Sequence, residues 1–176
     1  MERDIGVRQE NGCEPASNPL IMAFRFAAFG LGILVALTGM LREGKYKHLA
    51  SWLGIWALFL SWPRYLICSR CDGYGKKCYP YYIGRYTSLV FPPVEGKQVG
   101  EAAMLLEAVC LGGIFWTPAL ALRHDRELLI RYLLIMQLVL AGQFFHACRW
   151  CAVNSRSEWK KNCPANRAWK KILKVS

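Results

Sequence analysis

Four apolar blocks divide the chain, at positions 20–41, 49–67, 101–122 and 128–147. Short polar turns at 42–48 and 123–127 join the first to the second and the third to the fourth. Each block has about the 20 residues that an α-helix needs to cross ~30 Å of hydrocarbon. The pattern predicts four membrane-spanning helices. Block 20–41 holds Gly30, Gly32, Ala36 and Gly39, small residues that let helix backbones approach closely in a bilayer. Block 49–67 is aromatic, with Trp52, Trp56 and Trp62, and Pro63 near its end is expected to free a backbone carbonyl there. The segment 1–19 is a polar tail, and 79–100 is rich in Tyr, Gly and Pro, which suits a stretch at headgroup level.

The pattern also repeats. Cys68 and Cys71 recur 80 positions on as Cys148 and Cys151, each pair directly after an apolar block. An offset of 81 aligns Gly32-Ile33 with Gly113-Ile114 and Leu41-Arg42 with Leu122-Arg123. Each unit is a helical hairpin followed by a cysteine segment: 20–100 is the first and 101–165 the second. The expected fold is all-α: an integral membrane four-helix bundle built from two parallel-repeat hairpins. An even number of spans separates the units, so both cysteine segments fall on one membrane face.

Composition changes the picture in one respect. The chain of 176 residues is 54% hydrophobic yet carries a formal charge of +11. The charges lie between the blocks, as in a multi-span membrane protein. No soluble basic domain remains once the blocks are set aside, so nucleic acid is not an expected partner. Sixteen Lys and Arg lie on the cysteine side of the spans and six on the other. The positive-inside rule then puts both termini and both cysteine segments in the cytoplasm, with the protein in the plasma (inner) membrane. The basic tail 166–176, with Trp169 among Arg167, Lys170 and Lys171, is expected to form a helix on anionic lipid.

That topology bears on the thiols. Clustered cysteines in a reducing compartment bind metal or do redox work more often than they form structural disulfides. Segment 68–80 reads CSRCDGYGKKCYP and segment 148–164 reads CRWCAVNSRSEWKKNCP. CxxC lets two sulfurs converge on one ion, and two such knuckles supply four thiolates, enough for tetrahedral zinc or an iron–sulfur cluster. The expected ligands are Cys68, Cys71, Cys148 and Cys151, with Cys78, Cys163 and His146 as further candidates. A c-type haem is excluded, because Asp72 and Ala152 stand where CxxCH needs histidine. Cys13 reads as a free thiol in a tail, and Cys110 has no assigned role.

Arg25 and Glu107 are the charges well inside the odd-numbered blocks, at similar depth, and are expected to form an intramembrane ion pair. Gln137 and Gln143 suit interhelical hydrogen bonds. The leading functional expectation is a structural or electron-transfer membrane subunit, within a larger membrane complex, whose metal site joins the two hairpins. A membrane thiol–disulfide oxidoreductase using the CxxC pairs is the alternative, and handling of a soft metal ion is a third. Small four-span thiol oxidoreductases, such as the disulfide-forming quinone reductases and the vitamin K epoxide reductases, also combine a four-helix bundle with CxxC. Their reactive cysteines face the oxidising side, whereas charge places these inside.

Overall fold

A computed structural model describes residues 19–71, 74–75, 81–94, 101–149 and 163–173. Six α-helices account for most of them: α1 (Pro19–Arg42), α2 (Tyr46–Ile67), α3 (Ile83–Val90), α4 (Glu101–Ala121), α5 (Arg126–Gly142) and α6 (Pro164–Leu173). A single 3-10 turn, Cys68–Arg70, extends α2, and a π-helical turn, Gln143–Cys148, extends α5. No strand occurs among the described residues.

Both hairpin turns are legible in local chemistry. Gly44 has φ +64°, and Gly44 and Lys45 donate their amides to the Leu41 and Met40 carbonyls at 3.2 and 2.9 Å. This is a Schellman stop for α1, which requires a left-handed residue best supplied by glycine. Asp125 opens α5: its side chain accepts from the Leu128 amide at 3.0 Å and satisfies an orphan donor of the first turn.

Packing runs between the hairpins rather than within them. α1 lies chiefly along α5, and α2 along α4. The largest core cluster, Ala36, Met40, Trp52, Ala119, Ala121, Leu122, Tyr132 and Met136, sits near the hairpin turns. Close approach depends on glycine at Gly39, where an added Cβ would fall 2.4 Å from Cδ2 of the fully buried Leu122. Further along, Phe59 packs with Cys110 and Ile114, Ile67 with Ala103, and Met22 with Ala147. The starts of α1 and α4 and the ends of α2 and α5 therefore share one end of the molecule.

Two prolines interrupt helices in the interior, and each break is mended by a side chain. Pro63 denies the Phe59 carbonyl its helical donor, and Arg64 Nε donates to that oxygen at 3.3 Å. Pro118 does the same to the Ile114 carbonyl, which receives Trp52 Nε1 at 3.0 Å and the Tyr132 hydroxyl at 3.4 Å. Tyr132 also donates to Phe115 O at 3.1 Å. Both prolines are fully buried. In an apolar surround an unsatisfied carbonyl is costly, so the donors and the prolines belong together.

Three helical stretches are long and apolar enough to cross a membrane: Leu20–Arg42, Glu101–Ala121 and Arg126–Cys148. Their outer faces are apolar and open, with Leu34, Leu105, Trp116 and Leu138 all more than half exposed. Such a surface has no place in water and indicates membrane association. α2 matches these helices in length but not in apolarity, because three tryptophans, Pro63 and Arg64 dilute it.

Candidate functional site

The chemistry-bearing residues gather at the end shared by the start of α1 and the end of α2. Arg64 is the centre of the first cluster. Its guanidinium is 4% exposed and forms an ion pair with Glu107 of α4. It also lies over the Phe59 ring, 4.3 Å from the centroid, and NH1 approaches Cys68 Sγ at 3.6 Å. Thr87 of α3, fully buried, lies against the same sulfur. Burial pushes the Cys68 thiol above its ordinary range; the nearby Arg64 cation and Thr87 only partly offset this. Cys110 is buried one turn beyond Glu107 on α4.

Arg25 is the centre of the second cluster. NH2 donates to Gln143 Oε1 at 2.7 Å, NH1 reaches Met22 Sδ at 3.7 Å, and the guanidinium carbon lies 4.9 Å from the Tyr81 ring centroid. Tyr81 stacks on Phe29 at 4.8 Å, and Phe29 meets Trp56 edge-on. Tyr81 and Tyr82 both take left-handed conformations, φ 49° and 55°, unusual for bulky residues. Tyr82 packs against Met22 and Ala147 while α3, which it opens, lies against the turn that carries Cys68. This segment connects the two cysteine-bearing ends.

The expected Arg25–Glu107 pair is not formed. Glu107 takes Arg64, and Arg25 goes to Gln143. The reason is packing: α4 lies along α2 and α1 along α5, so each charge meets the helix beside it. Arg64 stands directly after Pro63, a place in the sequence that marks it as a candidate donor to the freed carbonyl. Gln143 does make the interhelical bond expected of it.

The thiols are less gathered than the spacing suggested. Cys68, Cys71, Cys148 and Cys163 are thiols, half-buried by whole-residue area, and Cys110 is a buried thiol. No three His, Cys, Asp or Glu side chains come together as a metal site among the described residues. Cys68, Cys71 and Cys148 therefore do not converge there, nor does His146 or Cys163 join them. Cys13, Cys78 and Cys151 lie outside the described residues. The Cys68 sulfur lies against the Arg64 guanidinium and Thr87.

At the second end, α6 docks on the π-helical turn. Trp169 Nε1 donates to Phe144 O at 2.9 Å, and the indole packs against Phe144 and Phe145. Arg149 lies over the same indole at 5.9 Å. The arrangement is that of an all-helical protein with membrane-length helices and a polar, thiol-bearing end. No family model, curated protein or solved structure matches the chain.

Proposed function

We propose that the protein is a small multi-pass membrane protein, a four-helix bundle of two parallel hairpin repeats, with its thiol-bearing end in the cytoplasm. It serves as a structural or electron-transfer subunit, and its accessible cysteines hold a soft metal, zinc or an iron–sulfur cluster. One observation carries this reading: Tyr82 and α3 join the Cys68 and Cys148 ends, so both thiol segments start from one end of the helices. The repeat has support of its own. An added Cβ at Gly32 would meet Ile135 Cγ2 at 3.4 Å, and one at Gly113 would meet Ile55 Cδ1 at 3.0 Å. Gly32 and Gly113 are 81 apart and Ile55 and Ile135 are 80 apart, so the two contacts are repeat-related. The polar pairs Arg25–Gln143 and Glu107–Arg64 obey the same relation to within one residue.

Cys68 is assigned to the Arg64 cluster rather than to the metal. The sulfurs left for a metal are Cys71, Cys148 and Cys163, with Cys78 and Cys151 beyond the described residues. A thiophilic ion would supply a crosslink between the hairpins or, as a cluster, one-electron chemistry. The oxidoreductase reading stands second. Arg64 beside Cys68 would favour a thiolate, but burial outweighs it and the CxxC turn lies at a helix C-terminus, where the dipole opposes an anion. Elemental analysis of detergent-purified protein tests the proposal. Stoichiometric zinc or iron that survives Cys68→Ala and disappears in Cys71→Ser/Cys148→Ser is the expected result. Metal-free protein with every thiol titratable would refute it.

A further inference from the structure

A groove of about 310 Å³ runs between α1 and α5, lined in part by Phe24, Arg25, Leu138, Gly142, Phe145 and His146. Phe24, Leu138 and Phe145 are each more than half exposed, so the groove opens on the side where lipid would lie. Its polar residues, Arg25 and His146, are at the Cys148 end. Phe145 forms one wall and also touches the Trp169 ring, at 6.0 Å between centroids. α6 therefore abuts the mouth of the groove. It brings exposed Arg167 and Lys171, and Arg149 lies over the Trp169 ring.

An apolar channel that ends among cations fits one kind of molecule: an acyl chain with an anionic head. Basic pockets between transmembrane helices on the cytoplasmic side favour such headgroups, and guanidinium groups suit phosphate oxygens. We propose that the α1–α5 groove and α6 together form a site for one anionic phospholipid. Its acyl chain lies along Phe24 and Leu138. Its phosphate sits at the mouth among His146, Arg149 and the basic residues of α6, with Arg25 adding positive potential from the floor. A zwitterionic lipid brings its own cation to that mouth and is the poorer ligand. This rests on the membrane reading above, with the thiol-bearing end at the inner leaflet.

The test uses the full chain in mixed micelles with phosphatidylglycerol carrying a diazirine on its acyl chain, crosslinks being mapped by mass spectrometry. Labelling near Phe24, Leu138 and Phe145 is expected. Unlabelled phosphatidylglycerol should compete, while phosphatidylcholine and inorganic phosphate should not. Gly142→Leu should reduce labelling of the groove about tenfold: an added Cβ there meets Arg25 Cγ at 3.7 Å, an ordinary contact, and Gly142 lines the groove that the rest of the leucine is meant to fill. Helical circular dichroism and gel filtration confirm that this variant folds. Arg149→Gln/Lys171→Gln should weaken competition several-fold with the groove intact. Equal labelling by a phosphatidylcholine probe, competition by free phosphate, or groove labelling unchanged in Gly142→Leu would each overturn the site while leaving the membrane reading in place. Absence of labelling by either lipid on α1, α4 and α5 would overturn both.

Discussion

Replacing Trp52 by Phe removes one hydrogen-bond donor together with part of a buried core ring, and a cycle with Pro118 separates the two effects. Pro118 leaves the Ile114 carbonyl without its helical partner, and Trp52 Nε1 serves it at 3.0 Å. Interhelical hydrogen bonds within membranes average ~0.6 kcal/mol and reach ~1.7. A buried carbonyl left with no donor costs about 1–3 kcal/mol. Tyr132 keeps a long bond of 3.4 Å to the same oxygen but shares its proton with Phe115 O. Trp52→Phe is therefore expected to cost about 2–3 kcal/mol, the carbonyl and the lost ring volume together, and Trp52→Phe/Tyr132→Phe about 3–4 kcal/mol. Pro118→Ala restores an amide opposite Ile114 O, while opening a small cavity worth about 1 kcal/mol. On that background Trp52 has less to do. The double variant Trp52→Phe/Pro118→Ala should lose about 1 kcal/mol less than the sum of the singles. Reversible unfolding of the full chain by SDS titration in mixed micelles, followed by far-ultraviolet circular dichroism, reads all four corners of the cycle. Strict additivity would refute the idea that the indole and the proline act on one carbonyl.

Three further outcomes follow from the described contacts. Arg64→Gln or Glu107→Gln leaves one buried charge without its partner and is expected to cost about 3–5 kcal/mol, whereas Arg64→Met/Glu107→Leu should cost far less than the sum; equal losses in the same SDS titration would show that the pair is not formed. Cys68, pushed up by burial, should be the slowest of Cys68, Cys71 and Cys163 to react with maleimide at neutral pH. Because its folded value is raised, its contribution to stability is complete below the ordinary thiol range and is lost as pH rises through the folded value. Mass-spectrometric mapping in which Cys68 reacts first would sink this assignment. Gly39→Val places atoms within 2.4 Å of Leu122 Cδ2 and should destabilise by about 1–3 kcal/mol, with partial rescue by Leu122→Ala; an unchanged unfolding midpoint would argue against the α1 packing described here.

The helices were readable because the chain alternates apolar blocks with breakers and charges. Glycines near the turns and the aspartate before α5 announced their stops and starts. The partners were harder to read. Residue depth along a span ranks charges by height but says nothing about which helix stands beside which, and so Arg25 was matched with Glu107. The proline at position 63 pointed to a freed carbonyl, and Arg64 follows it immediately, so a donor was in view in the sequence. Trp52 and Tyr132 could not be assigned to Ile114 in this way, because their donors cross from other helices. α3 was hidden in a segment rich in Tyr, Gly and Pro: its helix begins after two left-handed tyrosines, a conformation that composition does not disclose.

The two thiol-bearing ends are built on one plan with different dependencies. At each, the helix loses its regular ladder shortly before the first cysteine: Pro63 precedes Cys68, and a π-helical turn ends on Cys148. A break of this kind presents a carbonyl that needs a donor. At the first end the donor, Arg64, belongs to the same helix. At the second end Phe144 O receives Trp169 from α6, whose first turn follows Cys163 directly and whose Arg167 amide bonds the Cys163 carbonyl at 3.0 Å. The placement of Cys163 is thus tied to the same latch that steadies the turn before Cys148. Loosening Trp169 disturbs Cys148 and Cys163 and spares Cys68.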